Sequence, residues 1–218
     1  MIKCCIFDLD GTILNTLTTI THFVNKTLQK FGYGSITTDE CRRFVGNGAR
    51  LLITRALASL GESDEPTISR VLADYDREYG SDPYHLTCAY EGVEELLSDL
   101  RERGISLAVV SNKQDAITKA AVAHFFPSTF DIAIGGRDGI RLKPAPDAPL
   151  AVLAELGFDP AECAFIGDTS VDVQTGRNMS AGLVVGVSWG FRDASDLALA
   201  DVIASSATDV LSAVLSVK

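Results

Sequence analysis

The stretch "IFDLDGTILNT", residues 6–16, decides how the chain begins to fold. An apolar run that is typical of a buried strand leads directly into Asp8 and Asp10, and Gly11 and Thr12 follow at once. Side chains two positions apart in an extended segment point to the same side, so the two carboxylates lie close together. Neighbouring anions repel each other, and their closeness therefore indicates a cation or a shared chemical task.

The composition of the chain is typical of a globular protein and argues against polyanionic partners. Its 218 residues are 46% hydrophobic, and 19 basic against 29 acidic residues give a net charge of −10, which repels nucleic acid. The sequence shows no signal peptide and no apolar run of membrane-spanning length, and its five cysteines form no C-x-x-C pair. We therefore expect a cytoplasmic protein without a nucleic-acid or membrane partner, and its oligomeric state is left open.

Short β-branched runs that alternate with helical patterns predict a parallel sheet flanked by helices. Between the runs, apolar residues recur at helical spacing, as in Val93, Leu96, Leu97 and Leu100. The predicted fold class is α/β, with a Rossmann-like, doubly wound parallel sheet. The predicted strands cover residues 2–7, 105–110, 130–134, 163–166 and 183–187, with a weaker candidate at 201–204.

The segment that follows the first strand differs, because helical periodicity continues there without an intervening strand. Three apolar stripes, in residues 20–31, 51–60 and 72–79, are separated by glycine-containing breaks. An all-helical insertion into the α/β domain is the economical description. The predicted domains are a core of residues 1–14 and 86–218 and a helical cap of residues 15–85.

Polar side chains follow four of the predicted strands, at the edge where open α/β sheets bind their ligands. A single aspartate after a strand is usually a helix cap or a loop residue, but several at one edge favour a functional site. The candidates at this edge are Asp8, Asp10, Ser111, Asn112, Lys143, Asp168 and Asp172.

The acidic residues at this edge predict a magnesium site. Clustered carboxylates without cysteine or histidine favour Mg²⁺, and Asp168 is the natural third ligand beside Asp8 and Asp10. Asp172 either supports the ion or caps the helix that begins there, and both roles are open.

The remaining polar residues predict a phosphate subsite. Lys143 supplies a positive charge that can neutralise a transferring phosphoryl group, while Ser111 and Asn112 can hydrogen-bond its oxygens. Gly11 allows backbone N–H groups to gather around an anion, and Thr12 adds a hydroxyl.

Four short motifs, in this order, resemble those of the haloacid dehalogenase superfamily of phosphohydrolases. They are "DLDGT" at 8–12, "VVSNK" at 109–113, "KPAP" at 143–146 and "GDTSVD" at 167–172. The resemblance covers essentially the whole chain. It implies a phosphatase with a helical cap after the first motif, in agreement with the helical segment described above.

The resemblance also implies a role for each core residue. Asp8 attacks phosphorus and becomes an aspartyl-phosphate, and Asp10 protonates the leaving oxygen and later activates water. Asp8, the backbone carbonyl of Asp10, and Asp168 hold Mg²⁺, while Ser111 and Lys143 orient and neutralise the phosphoryl group.

In the cap, "FVGNGAR" at 44–50 resembles a loop that reaches toward the active site. Arg50, Arg43 and the backbone of Gly46, Asn47 and Gly48 are therefore candidates for holding the part of the substrate beyond the phosphate. Many relatives carry an aspartate where this chain has Asn15, which puts a charged contact between core and cap at that position in doubt.

Within the superfamily, "GGRDGIRLKPAPD" at 135–147 and "VSWGF" at 187–191 look most like phosphoglycolate phosphatases. The resemblance thus implies 2-phosphoglycolate or a similarly small phosphorylated metabolite as substrate.

Three other functions compete with a phosphatase. A sugar-phosphate mutase of the same superfamily also needs Asp10, whereas a phosphonate hydrolase needs a cap lysine near the site, and Lys26 and Lys30 fall on the first cap helix instead. A receiver-like signalling module also phosphorylates an aspartate, but it needs neither Asp10 nor a cap.

Overall fold

The computed structural model describes residues 1–217 and has a parallel sheet of six strands at its centre. The strands in chain order are β1 (Cys4–Phe7), β2 (Leu14–Asn15), β3 (Cys88–Ala89), β4 (Ser106–Gln114), β5 (Ile132–Gly136), β6 (Cys163–Gly167), β7 (Leu183–Val187) and β8 (Val202–Ala204). The α-helices are α1 (Leu17–Lys30), α2 (Thr38–Phe44), α3 (Ala49–Ser59), α4 (Glu65–Ser81), α5 (Val93–Glu102), α6 (Asp115–Phe125), α7 (Asp147–Leu156), α8 (Ser170–Asn178) and α9 (Ala207–Ser216).

The order of the strands makes the sheet doubly wound. The order of the strands is β5-β4-β1-β6-β7-β8. From β1 the chain continues to β4 and β5 on one side, and it then crosses to β6, β7 and β8 on the other side of β1. This reversal opens a crevice at the carboxyl ends of the central strands, where such sheets bind ligands. The predicted fold class is confirmed.

The buried residues of β1 show how both faces of the sheet are covered. Cys5 and Phe7 belong to one apolar cluster, which includes residues of α5 and α9. Cys4 and Ile6 belong to a second cluster, on the opposite face, that includes Val152 of α7. Because successive side chains of a strand alternate between faces, this short central strand is buried on both sides.

Four helices, α1 to α4, lie between β2 and β3 and form the helical segment. Their buried side chains make an apolar cluster of their own, to which Ile117 and Phe191 from outside the segment also contribute. The three apolar stripes predicted from the sequence are helices α1, α3 and α4. Helix α2 was not predicted, because Cys41 is its one buried residue and it therefore has no apolar stripe.

The two short strands that connect the sheet to the helical segment, β2 and β3, pair with each other. The sequence did not predict this pairing. Leu14 and Asn15 of β2 face Ala89 and Cys88 of β3 in an antiparallel ribbon. Asn15 is exposed in this ribbon. The division into residues 1–14 with 86–218 and residues 15–85 stays a prediction.

Three predicted strands have boundaries that differ by two residues or more. The first strand begins at Cys4 instead of Ile2, the second continues to Gln114, past the predicted end at Val110, and the third covers Ile132–Gly136 instead of 130–134. The pairing of β4 with β5 is irregular between Val110 and Gln114, which accommodates the polar residues of this stretch. The weaker candidate at 201–204 is confirmed as β8. Within residues 1–217, none of the helices has the length and apolarity needed to span a bilayer.

Candidate active site

Three buried aspartates meet at the carboxyl ends of two adjacent central strands. Asp8 follows β1, Asp168 follows β6, and Asp172 lies in the first turn of α8. Each offers one carboxylate oxygen, and these three oxygens lie within 4.8 Å of one another. The strand order thus brings together residues that are separated by about 160 positions in the sequence.

Lys143 provides the positive charge of this cluster. Its Nζ atom donates hydrogen bonds to Asp8 Oδ1 at 2.6 Å and to Asp172 Oδ1 at 2.7 Å, and the side chain is only 3% exposed. Burial alone would lower the pKa of Lys143, but the carboxylates of Asp172 and Asp8 raise it above its ordinary value. Lys143 is therefore a fixed cation at this site.

One lysine does not neutralise three buried carboxyl groups. Burial raises the pKa of Asp8 to about 7, with Lys143 opposing and Asp172 adding to the shift. Burial, followed by the charges of Asp172 and Asp8, also raises the pKa of Asp168 well above its ordinary value. When ionised, the three carboxyl groups therefore carry more negative charge than Lys143 neutralises.

The side chain of Asp172 serves two structural tasks. Its Oδ2 atom accepts hydrogen bonds from the backbone N–H of Thr169 at 3.0 Å and from the Thr169 hydroxyl at 2.7 Å, which closes a capping box at the start of α8. Its Oδ1 atom accepts from Lys143. Of the two roles left open by the sequence, helix capping is the one that these contacts display.

Asp168 is enclosed by small residues and fixed by two hydrogen bonds. The Thr12 hydroxyl donates to Asp168 Oδ1 at 3.3 Å, and the backbone N–H of Phe191 donates to Oδ2 at 2.7 Å. A Cβ atom at Gly11 would stand 2.3 Å from Asp168 Oδ2, and one at Gly190 would stand 2.3 Å from Asp168 Cβ. Gly11 and Thr12, predicted to bind substrate, therefore contact Asp168 and do not line the cavity described below.

Asn112 holds the loop that carries Lys143. Its Oδ1 atom accepts from the backbone N–H of Lys143 at 2.8 Å, and its Nδ2 atom donates to the carbonyl oxygens of Lys143 at 3.0 Å and of Gly46 at 3.1 Å. The side chain of Asn112 thus links the core to the helical segment. Ser111 lines the cavity, and its Oγ atom accepts from the backbone N–H of Lys113 at 3.2 Å.

The carboxylate of Asp10 lies outside the group of three and is paired with Lys113, which the sequence did not single out. Lys113 Nζ donates to Asp10 Oδ1 at 2.9 Å and to Oδ2 at 3.1 Å, and it also contacts the hydroxyl of Tyr79 on α4 at 2.8 Å. Lys113 follows the same strand end as Ser111 and Asn112, so the signal that selected those residues could have found it.

Two side chains predicted to hold substrate do not reach the cavity. The carboxamide oxygen of Asn47 accepts from Arg55 Nη1 at 3.0 Å, and the exposed Arg50 side chain pairs with Glu65. In the same loop, the backbone of Gly46 and Gly48, which was also a candidate for holding substrate, lines the cavity. A substrate role for Asn47 and Arg50 stays a prediction that this arrangement does not support.

A cavity of about 710 Å³, including its opening to solvent, lies between the sheet edge and the helical segment. Catalytic candidates form its floor, and apolar residues of the helical segment form much of its roof. Its lining includes Asp8, Asp10, Ser111, Asn112, Lys113, Lys143, Thr169 and Asp172 from the core, and Ile20, Val45, Leu52, Tyr75, Asp76 and Tyr79 from the helical segment.

The donor set of the three clustered aspartates fits a hard divalent cation. The ligand atoms offered by Asp8, Asp168 and Asp172 are all carboxylate oxygens, which Mg²⁺ and similar ions prefer. The raised pKa values of Asp8 and Asp168 indicate that another cation would stabilise their ionised forms. Asp168 has no cationic partner among residues 1–217, and Asp8 is hydrogen-bonded through Oδ1 only, whereas Asp172 is ion-paired through one oxygen and closes the capping box with the other; Asp8 and Asp168 are therefore the better candidates for direct ligands.

Comparison with known proteins places the chain in a family. Residues 5–185 match the family described as haloacid dehalogenase-like hydrolase. A phosphoglycolate phosphatase from Rhodospirillum rubrum is 32% identical over 197 residues, covering 88% of this chain and 81% of the relative. One from Haemophilus influenzae is 32% identical over 192 residues, covering 85% of both chains.

A solved structure from Lactobacillus delbrueckii subsp. bulgaricus is similar to this fold over nearly its whole length. It is 33% identical, covers 98% of both chains and superposes with a TM-score of 0.93. The chain belongs to the haloacid dehalogenase-like hydrolase family. The prediction of a phosphatase is confirmed at the level of this family and its curated relatives.

Proposed function

We propose that this phosphatase hydrolyses small phosphate monoesters, with Mg²⁺ as cofactor and Asp8 as the nucleophile. The observation that carries the proposal is the position of the Asp8 carboxylate, which lies on the cavity floor with Lys143 Nζ 2.6 Å from its Oδ1 atom. A carboxylate held against a fixed cation is suited to attack a phosphoryl group whose negative charge the same cation neutralises.

The proposed reaction has two steps. Asp8 attacks phosphorus, the bond to the alcohol oxygen breaks, and Asp10 donates the proton that the leaving alcohol requires. Asp10 then takes a proton from water, the water oxygen attacks the aspartyl-phosphate, and Asp8 is released with inorganic phosphate. Asp10 lines the same cavity as Asp8, and its position two residues away suits this alternation between acid and base.

Asp8, Asp168 and the backbone carbonyl of Asp10 would hold the Mg²⁺ ion, with Asp172 supporting the site through Lys143. When bound, the ion supplies positive charge that screens the phosphoryl oxygens. Ser111 at the cavity wall would donate a hydrogen bond to one of these oxygens.

The proposed substrate is 2-phosphoglycolate or a similarly small phosphorylated metabolite. The names of the two curated relatives support this choice. The expectations that the protein works in the cytoplasm and binds neither nucleic acid nor membranes belong to the same proposal, and the net charge of −10 supports the exclusion of nucleic acid.

A panel of phosphate esters, tested with and without Mg²⁺, examines the proposal directly. We expect Mg²⁺-dependent release of phosphate, with 2-phosphoglycolate among the best substrates, and no release by Asp8→Asn. The absence of phosphate release from every ester would contradict the proposed reaction. A hexose 1-phosphate belongs in the panel, because isomerisation faster than hydrolysis would identify a mutase instead.

A further inference from the structure

We propose that Lys113 selects substrates whose alcohol part carries a second anionic group, such as a carboxylate. This inference rests on the proposed function, because it assigns a residue to the end of the cavity that lies beyond the phosphoryl group. Lys113 is the cavity cation that the proposed reaction does not use.

The ammonium group of Lys113 is held in place from both sides of the cavity. Asp10 of the core accepts hydrogen bonds through both carboxylate oxygens, at 2.9 and 3.1 Å, and the Tyr79 hydroxyl of the helical segment lies at 2.8 Å. The Nζ atom also lies 4.5 Å from the centroid of the Tyr79 ring, and the side chain is 10% exposed. A charged group fixed in this way is preorganised for binding.

The two cavity lysines differ in what surrounds them. Among the residues described, Lys113 and Lys143 are the cationic side chains of the cavity lining. Lys143 lies between Asp8 and Asp172 and serves the phosphoryl end. Lys113 lies beside Asp10, where the alcohol part of an ester must leave, so it faces the remainder of the substrate.

A substrate carboxylate can bind Lys113 while two of the three present hydrogen bonds of its ammonium group are kept. An ammonium group has three donors, which the two Asp10 oxygens and the Tyr79 hydroxyl now occupy. The 3.1 Å contact to Asp10 Oδ2 is the longest of the three and would give way to a substrate oxygen. Lys113 would then bridge the Asp10 Oδ1 atom, the Tyr79 hydroxyl and the substrate.

Asp76 opposes this attraction and thereby makes Lys113 necessary. It lies on α4 and lines the same cavity, and within residues 1–217 its carboxylate takes part in no hydrogen bond or ion pair. Its negative charge disfavours an anionic ligand nearby, while burial raises its pKa. Without the charge of Lys113, a second anion on the substrate would be repelled.

The test compares 2-phosphoglycolate with its carboxamide, which has nearly the same shape and lacks the second charge. We expect wild-type protein to have a kcat/KM at least about 10-fold higher for the carboxylate, the lower end of the effect of a hydrogen bond to a charged group. Equal values for the two esters would overturn the inference. This comparison uses wild-type protein alone, so it does not depend on whether a variant folds.

Lys113→Met removes the charge and keeps most of the apolar volume. We expect it to reduce the carboxylate-to-carboxamide ratio of kcat/KM by about 10- to 100-fold. The ratio is the informative quantity, because any effect of Lys113 on Asp10 acts on both esters and cancels. Tyr79→Phe should lower the same ratio less, by about 5-fold, since it removes a hydroxyl that positions the Lys113 ammonium group but leaves its charge in place.

Lys119→Met is the matched control, because Lys119 is an exposed lysine of α6 paired with Asp115 and lies outside the cavity lining. It should leave the ratio unchanged. An equal loss of activity toward both esters in Lys113→Met would assign Lys113 a structural role and overturn the inference alone. Failure of wild-type protein to hydrolyse either ester, or any other in the panel, would overturn the proposed function as well.

Discussion

Lys143 is the residue on which the charge balance of the active site depends. It is buried against two carboxylates, and its position is set by the side chain of Asn112, which bonds both backbone groups of Lys143. The lysine thus compensates part of the negative charge that the sheet edge concentrates there. Its removal would leave Asp8 and Asp172 uncompensated.

Lys143→Met is therefore expected to lower kcat/KM for phosphate esters by about 100- to 1000-fold, the range found when one stabilising group of a transition state is removed. Steady-state phosphate release measures the change. Lys3→Met, at an exposed lysine paired with Glu162, is the control and should keep full activity. Full activity in Lys143→Met would show that its charge is dispensable.

Gly190 packs closely against Asp168, which is possible because glycine has no Cβ atom. A Cβ atom there would stand 2.3 Å from Asp168 Cβ and 2.4 Å from the carbonyl oxygen of Gly11, distances that the backbone cannot accommodate without moving. We expect Gly190→Ala to lower both Tm and activity, as measured by thermal unfolding and phosphate release. Gly80→Ala, at a position with no neighbour within 4 Å of the added atom, should not lower Tm.

Sequence reasoning at the residue scale succeeded where a side chain directly follows a strand. Asp8 and Asp168 could be placed together because parallel strands end at one edge. Lys143 could be placed there because it precedes a proline in the loop that follows the third predicted strand, which is β5. Lys113 follows the same strand end as Ser111 and Asn112 but was given no role, because its contact to Tyr79 on the helical segment could not be read from the sequence. The pairing of Arg50 with Glu65 could not be predicted, because the two residues lie 15 positions apart on different helices.

At the element scale, the helical segment depends on its own apolar cluster. Helix α3 shows the pattern clearly, since Leu57 is fully buried in that cluster while Leu51 on the same helix is 44% exposed. Such stripes could be predicted from the spacing of apolar residues. Helix α2 and the ribbon of β2 with β3 could not, because seven-residue and two-residue elements are too short to show a period.

Leu57→Ala is expected to destabilise the protein by about 2–5 kcal/mol, because it removes buried apolar surface and leaves a cavity. Urea unfolding measures the free energy. Leu51→Ala provides a comparison with the same chemistry on the same helix, and because Leu51 is exposed its effect should be within about 0.5 kcal/mol. Similar losses for both variants would mean that the packing of α3 differs from the one described.

At the scale of the whole molecule, folding concentrates acidic groups that a cation must balance. Two long-range features create this concentration: the return of the chain from β5 to β6, which places Asp168 beside Asp8, and the helical segment, which covers the site. The sheet order followed from the alternation of strands and helices. The extent of burial did not, because it depends on contacts between the helical segment and the core.

Added Mg²⁺ is expected to raise Tm more at about pH 8 than at about pH 6. Burial raises the pKa of Asp8 to about 7 and that of Asp168 in the same direction. A carboxyl group with a raised folded-state pKa binds a proton on folding, so the metal-free fold loses stability as pH rises toward 7. At about pH 6 the ion must displace that proton, and at about pH 8 it need not.

Thermal unfolding with and without Mg²⁺ at the two pH values checks this expectation. Asp168→Asn, which retains the shape of the side chain and loses its charge, should show little or no rise in Tm. A Mg²⁺ effect that is independent of pH, or one that persists fully in Asp168→Asn, would place the ion elsewhere.

Rapid quenching during turnover, followed by mass spectrometry of the peptide that contains Asp8, tests the proposed chemistry most directly. We expect one phosphoryl group on Asp8 in wild-type protein. With an aryl phosphate, whose leaving group needs no proton, we expect more of it in Asp10→Asn, because the proton acceptor for the attacking water is then missing. If wild-type protein turns over without any phosphorylated Asp8, the assignment of Asp8 as the nucleophile is contradicted. Full activity in Asp8→Asn would contradict it as well.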